Sequence, residues 1–373
     1  MIKYFRRTIP LWPAYKTERK ILVIESDDWG SIRTRSTEAV QRLLKKGFPM
    51  EDNPYSLNDA LERNNDLEGL LSVLNSIRNS ECQKPKFTIN YITANPDFKR
   101  IEESDFTSYY YITSDEQRKR YPQTDRLKLL YNDGIKDGII KPQLHGREHL
   151  NVNRWLIGLK HSHPHLLAAF EQEMFSLVWQ SPAIYRNEYM DALDYDTVSD
   201  RSNKCDIISD GAELFKSEWD FYSKSFIAPC YIWDDEIEEA LSRKGVKYIQ
   251  SLKIQYHPKL KNGFTYKRKF HFTGQKNNKG QRYLVRNAFY EPTSYPQSNQ
   301  VELALNQIDF AFRHNTPAIL STHRVNFIGR LSESNRTRGL KGFTELLKQV
   351  VRRWPEVEFM FSDELGDLIE NKN

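Results

Sequence analysis

The sequence predicts an α/β protein built on a parallel sheet, either a barrel or a doubly wound sheet. Short apolar runs of strand length alternate with segments of helical period along the whole chain, as parallel sheets with helical crossovers require. The polar clusters able to do chemistry fall just past the carboxyl ends of those runs, on the rim where such folds build their sites. The 373 residues allow one large domain or two ordinary ones, and 39% hydrophobic with 13% aromatic content supplies ample core.

The elements follow in order. Residues 21–25 (ILVIE) read as a buried strand, and 37–46 as an amphipathic helix with Ser36 as N-cap and Gly47 just past its end. Helical residues 67–77 lead to a strand over 87–93, and helical 126–135 to a strand over 139–144. A helical region over 153–222 precedes the fourth strand, 224–228; helix 234–243 then precedes strand 246–250. Two strand-like runs, 264–273 and 282–290, are joined by the turn-like Asn277-Asn278-Lys279-Gly280 and read as a hairpin outside the barrel. Helix 301–312 precedes strand 318–321, and helix 340–353 precedes a seventh strand, 357–361. No repeat, low-complexity tract or Pro/Gly/Ser linker divides the chain. One domain over 1–373, with insertions near 153–222 and 257–296, is therefore expected.

The charges, 55 basic against 50 acidic for a net +5, are interspersed along the chain, which does not indicate nucleic-acid binding. Cys82, Cys205 and Cys230 are far apart, odd in number and without a CxxC. That pattern suggests neither a disulfide framework nor a thiolate zinc site, and fits a reducing compartment. Residues 1–7 are basic, yet Pro10, Pro13 and the charged stretch 16–20 arrive before any apolar core long enough for a cleaved signal. Apolar runs elsewhere are about strand length, well below the roughly 20 residues of a membrane helix. A cytoplasmic protein with no integral membrane segment is expected, with Tyr4, Phe5 and Trp12 available for peripheral membrane contact. The oligomeric state stays open.

Three clusters carry the candidate chemistry. Glu25-Ser26-Asp27-Asp28-Trp29-Gly30 follows the first strand, His145-Gly146-Arg147-Glu148-His149 the third, and Thr322-His323-Arg324 the sixth. His145 and His149 have the i, i+4 spacing that brings two imidazoles to one face of a helical turn, as divalent-metal chelation requires. Taken alone, the pair also fits one capping and one surface histidine. Adjacent Asp27 and Asp28 would repel unless a cation or proton intervened, so one can bind metal while the other acts as base; an ordinary Asp-rich turn is the plainer alternative. Strand alternation sends neighbours to opposite faces, and both can reach one site only if regular strand geometry ends at Ser26, a break Gly30 allows. His323 alone fits a hydrogen-bonded structural histidine equally well, and His161-Ser-His163-Pro-His165 reads as solvated loop histidines.

In order along the chain, Asp-Asp-Trp-Gly, His-x-x-x-His, Ser225-Phe-Ile-Ala-Pro229-Cys-Tyr231 and Ile319-Leu-Ser-Thr-His323 resemble the motif series of the polysaccharide deacetylase family, also called NodB-homology or carbohydrate esterase family four. The resemblance spans about residues 21–362 and implies a distorted (β/α)7 barrel, in which the hairpin read above is a β-hairpin insertion. It implies Asp27 as catalytic base, Asp28, His145 and His149 as ligands of a divalent metal, and His323 as general acid. Zinc is the first expectation for that metal, with cobalt, nickel or manganese as alternatives. The family's motif-three arginine, which orients the base, is replaced by Ile227 or Ala228, so either Arg147 or Arg324 substitutes for it or the base is tuned differently. The fourth motif is not recognisable in residues 251–257, which leaves the carboxylate that activates His323 without a candidate. Trp29, Trp155 and Trp233 lie near the motifs and could stack on pyranose rings or pack in the core.

The function expected is metal-dependent removal of an acetyl group from an N-acetylated sugar or polysaccharide intermediate. Its rivals are a related-barrel glycosidase, a cyclic-amide amidohydrolase, and a catalytically silent carbohydrate-binding protein of the same fold.

Overall fold

The run ILVIESDDW is buried at every residue of strand β1 (Ile21–Trp29), and its two faces have different neighbours. Leu22 and Ile24 join the large core beneath the surrounding helices. Ile21 and Val23 pack instead with Ile319 of the adjacent strand and with Tyr248 and Leu284 of strands that do not pair with β1. The period-2 alternation of a strand thus gives β1 a helix-facing side and a side facing the interior of a curled sheet.

The structure is a computed structural model that describes residues 13–50, 53–175, 177, 189–260 and 265–371. The basic start over residues 1–7 and the candidate membrane-contact residues Tyr4, Phe5 and Trp12 lie outside the described residues. The other strands of the main sheet are β2 (Phe87–Ile92), β3 (Ile140–Gly146), β4 (Ser225–Ile227), β5 (Tyr248–Ser251), β6 (Arg282–Val285), β7 (Ala288–Phe289), β8 (Ala318–His323) and β9 (Glu358–Met360). Among the described residues they run in the order β6-β5-β4-β3-β2-β1-β8-β7, with every pair parallel.

The two ends of that order are successive pieces of one extended segment, because only Arg286 and Asn287 separate β6 from β7. Arg286 donates its backbone N–H to Ser251 of β5 at 2.9 Å, and Asn287 donates to Ile319 of β8 at 3.0 Å. Consecutive residues therefore bond to opposite neighbours and close the sheet on itself. The result is a distorted α/β barrel whose staves are β1, β2, β3, β4, β5, the segment 282–289 and β8.

This corrects two expectations. Residues 282–290 do not pair with 264–273 in an external hairpin; they form a stave. The hairpin pairs Ile254–Pro258 with Tyr266–Phe270, while the turn at 277–280 joins a short irregular contact, a bridge between Lys276 and Arg282 with Gly274 donating to the Tyr283 carbonyl and Tyr283 to that of Gln275, both at 2.9 Å. Residues 357–361, expected as the seventh stave, yield the short β9, which pairs with β1 over Ile21–Val23, below the point where β2 begins to pair at Glu25.

Helices clothe the outside where apolar stripes demand cover: α1 (Thr37–Lys45), α2 (Asn64–Ser76), α3 (Leu127–Lys136), α4 (Val198–Trp219), α5 (Asp235–Arg243), α6 (Gln300–Arg313) and α7 (Glu333–Arg353). Ser36 caps α1 as expected, accepting from the Ala39 N–H at 3.2 Å. A last helix, α8 (Ser362–Asn371), sends Leu365 and Ile369 into the apolar floor of the barrel with Ile21 and Val23. Above that floor the interior residues of the staves turn polar: Glu25, Thr88, Gln143, Ser225, Gln250, Arg286 and Ser321 are all buried. One layer higher lie Asp27, Asn90, His145 and His323, at the carboxyl rim. Among the described residues no helix is long and apolar enough to cross a membrane.

Candidate metal centre and acid/base pair

Strand geometry does not stop at Ser26; it bulges. The β1–β2 register shifts between Ser26 and Trp29, and Asp28 takes φ 74° while Gly30 takes φ 79°. An aspartate tolerates the left-handed region better than most residues. The bulge re-aims its side chain, so that Asp27 and Asp28 both reach the rim. At Gly30 a side chain is excluded, since a Cβ would sit 2.5 Å from the Ile92 carbonyl oxygen.

Asp28, His145 and His149 converge, with ligand-capable atoms all within 4.8 Å of one another and all three residues buried. His145 ends β3, but His149 lies in the irregular chain that follows, so the two rings meet through the turn at Gly146 (φ 127°) and not across a helical turn. Their centroids are 5.0 Å apart. Nδ1 of His145 lies 3.0 Å from the Ile227 carbonyl; donating there, a neutral imidazole keeps a lone pair on Nε2. That Nε2 faces Asp28 Oδ1 at 3.3 Å, and His149 Nε2 faces the same oxygen at 3.6 Å. Burial, partly opposed by Asp28, pushes His149 down to about 4, which leaves it neutral at ordinary pH. Its Nδ1 is buried without a hydrogen-bond partner. Burial would raise Asp28, but the His145 hydrogen bond and the surrounding histidines, the charged His323 among them, hold it well below the ordinary carboxylate range. One carboxylate and two imidazoles with ring nitrogens facing a common space form the donor set of a divalent cation. The residues fit such a group.

Asp27 is held differently. Arg286 grips it end-on, Nη1 to Oδ2 at 2.6 Å and Nη2 to Oδ1 at 2.7 Å, and Asn90 donates to Oδ1 at 2.7 Å. Against the upward push of burial, Arg286 holds this carboxyl far below its ordinary range. His323 Nε2 stands 3.8 Å from Asp27 Oδ2, and its Nδ1 lies 2.6 Å from Glu291 Oε1. Asn326 donates to the other Glu291 oxygen at 2.8 Å. Burial alone would lower His323, but Glu291, then Asp27 and Asp28, push it up to about 10. Tyr55 meets the imidazole edge-on at 5.6 Å. A cavity of about 160 Å³ is lined by all five of these acids and histidines together with Tyr55, Met190, Cys230 and Tyr231.

Arg286 and Glu291 escaped the sequence reading because they sit in and just after the stave taken for an external hairpin. A usable signal existed, since both charges flank an apolar Ala-Phe-Tyr run that precedes the helix leading into the strand that ends in His323. The expected substitutes for the base-orienting arginine are occupied elsewhere. Arg147 pairs with Glu148 at 2.6 Å and Asp210 at 3.0 Å; Arg324 pairs with Asp59 at 2.8 Å and Glu62 at 2.9 Å. Neither is bonded to Asp27. The indoles are core residues: Trp29 donates to Ser26 Oγ at 2.8 Å and Trp233 to Glu238 Oε1 at 2.9 Å, both fully buried. Trp155 donates to the Phe175 carbonyl at 2.6 Å inside a separate aromatic cluster. The tract at 161–165 holds no second donor set of the same kind among the described residues.

No protein-family model matches the chain, and no curated protein matches it. Solved structures do resemble it in fold. A probable polysaccharide deacetylase from Pseudomonas aeruginosa is 6% identical, covering 95% of this chain and 93% of that one, with a TM-score of 0.47. Puue allantoinase is 8% identical over 96% and 92%, with a TM-score of 0.45. A family 4 carbohydrate esterase from Streptomyces lividans, in complex with acetate, is 8% identical over 95% and 96%, with a TM-score of 0.37.

Proposed function

We propose that this chain is a metal-dependent hydrolase that removes an acetyl group from an N-acetylated sugar or polysaccharide intermediate. The observation that carries the reading is the pairing of an arginine-clamped carboxylate, Asp27, with a carboxylate-backed imidazole, His323, 3.8 Å away, beside the Asp28, His145 and His149 donor set. Those three residues would hold the cation, zinc being the first expectation. When bound, it supplies Lewis-acid polarisation of an amide carbonyl.

The chain's own groups do the proton work. Asp27, ionised and fixed by Arg286 and Asn90, removes a proton from the attacking water. His323, kept protonated by Glu291, donates to the nitrogen as the C–N bond breaks. Water thus loses one proton to Asp27, the acetyl carbon takes the hydroxyl and departs as acetic acid, the amine leaves neutral with the proton of His323, and exchange with solvent returns Asp27 and His323 to their starting states. An amine is a poor leaving group without that proton, which gives the raised His323 a purpose.

The test is acetate release from a panel of N-acetylated glycans and sugar nucleotides, with an O-acetyl ester and a cyclic amide alongside, and metal analysis of the same samples. Stoichiometric metal with N-acetyl hydrolysis supports the reading. Turnover of the cyclic amide alone would transfer the site to an amidohydrolase, and metal-free, inactive protein would leave a carbohydrate-binding role.

A further inference from the structure

The polar layer beneath the site contains a carboxylate that the proposed chemistry does not use. Glu25 is fully buried and lies two residues before Asp27 on β1, so both side chains face the barrel interior. Arg286 reaches them from a stave that is not a neighbour of β1 in the sheet. Its Nε donates to Glu25 Oε2 at 2.7 Å, while Nη1 and Nη2 hold Asp27. The remaining hydrogens have Ser321 Oγ at 3.0 Å and Tyr231 Oη at 3.1 Å from Nη1, and Gln250 Oε1 at 3.3 Å from Nη2. The guanidinium is thus surrounded by side-chain acceptors, with no share left for solvent. Glu25 is in turn fixed from below, for its Oε1 accepts from Ser362 Oγ at 2.8 Å, the first residue of α8, and Ser362 Oγ lies 3.1 Å from Thr88 Oγ1.

A guanidinium can meet a carboxylate end-on, through both Nη atoms, or side-on, through Nε and one Nη. Occupation of Nε by Glu25 removes the side-on choice. It also fixes the plane of the fork and with it the direction of the Asp27 oxygens. From this geometry we propose that Glu25 is a positioning residue that locks Arg286 end-on against Asp27. The proposal rests on the reading of Asp27 as base. Glu25 acts as an acceptor at the right place, so an isosteric amide can replace it and a truncated side chain cannot.

The experiment uses the full metal-loaded chain as wild type, Glu25→Gln, Glu25→Asp and Glu25→Ala. Three quantities are measured: the Nε–H and Nη–H NMR signals of Arg286 in arginine-labelled protein, kcat and KM on an N-acetylated substrate, and metal content. A slowly exchanging Arg286 Nε–H is expected in wild type and in Glu25→Gln. In Glu25→Ala that signal is expected to be lost to exchange, with kcat lower by about 100-fold, the scale on which slight misplacement of a reacting group acts. KM and metal content stay close to wild type, and Glu25→Gln recovers most of kcat. If Glu25→Ala does not fold, Glu25→Asp, whose acceptor is withdrawn by one methylene, should show the same loss relative to Glu25→Gln. Unchanged Arg286 signals and kcat in the shortened variants would overturn the proposal. So would an equal loss in Glu25→Gln, which would assign the effect to charge and not to placement. Should wild type hydrolyse nothing on the panel, the NMR comparison still decides whether Glu25 holds Arg286, and the deacetylase reading alone falls.

Discussion

His323 shows how a single neighbour sets the chemistry available to a side chain. Its folded value, pushed up to about 10 chiefly by Glu291 against the pull of burial, exceeds the ordinary 6.5 or so of a histidine. The stabilising effect of the charged pair is therefore complete below about 6.5 and is lost as pH rises through the folded value. Activity that needs the proton fails over the same upper range, and a cation in the adjacent donor set would bring that limb down somewhat. Replacing Glu291 with Gln removes the largest raising influence, so the alkaline limb of kcat/KM should move to lower pH by at least about one unit. A pH–rate profile of both proteins decides; an unmoved limb would mean that His323 is not the group titrating. Asp27→Asn should keep the metal and lower turnover by about 100-fold or more, whereas His145→Ala with His149→Ala should abolish stoichiometric metal uptake. Elemental analysis beside a rate assay separates the two, and a metal-free Asp27→Asn would exchange the roles of Asp27 and Asp28. The five residues singled out by short motifs meet in one cavity because each lies within three residues of the carboxyl end of a strand, a feature visible in the order of residues. Arg286 and Glu291 were not visible as partners. Arg286 and Asp27 are 259 positions apart and Glu291 and His323 are 32, and an ion pair made across folded elements has no local signature at either separation.

Elements were legible where one face is apolar and blurred where packing is polar. The start of α7 lies at Glu333, seven residues ahead of the helix read at 340. Its first turns (ESNRTRG) present polar side chains that bond inward: Asn335 Nδ2 donates to the Val325 carbonyl at 2.7 Å, and Arg336 pairs with Asp66 at 3.0 Å. Hydrophobic period cannot report a face buried through hydrogen bonds. The bulge of β1 is the opposite case, a local device with a local signal in Gly30. With φ 79° and a Cβ position 2.5 Å from the Ile92 oxygen and 2.8 Å from the Tyr91 ring, Gly30→Ala combines backbone strain with a backbone clash. It should cost about 2–4 kcal/mol, at the upper end for a single substitution, and should weaken metal binding because Asp28 depends on the same bulge. Chemical denaturation and metal titration of this variant check both effects. A variant as stable as wild type, with full metal affinity, would show that the bulge does not govern the aim of Asp28.

For the molecule as a whole, the decisive fact is that closure of the barrel and construction of the site use the same segment. Residues 282–289 complete the ring, and Arg286 and Glu291 on or just after it clamp Asp27 and His323. A sheet closed by a stave that changes neighbours between two consecutive residues depends on that junction. There Asn287 adds its side chain to the seam: Oδ1 accepts from the Ile319 N–H at 2.8 Å and Nδ2 donates to the Pro317 carbonyl at 2.9 Å. Asn287→Ala would delete both bonds and leave an amide and a carbonyl of the β8 edge to find other partners. At about 0.5–1.5 kcal/mol per hydrogen bond, the loss should be about 1–3 kcal/mol. The more telling consequence is its distribution. Because Asn287 touches none of the metal-binding residues, cation content should stay at the wild-type level, while kcat falls as Arg286 and Glu291 lose their fixed frame. Amide hydrogen exchange should accelerate first along 282–291 and the facing residues of β8, with the β1–β2–β3 side keeping its protection. If instead protection falls evenly around the ring, the barrel opens as one unit and the seam has no separate role. If neither protection nor kcat changes, the closing stave is held by its apolar contacts alone, and the alignment of the two catalytic clamps must come from the polar layer beneath them.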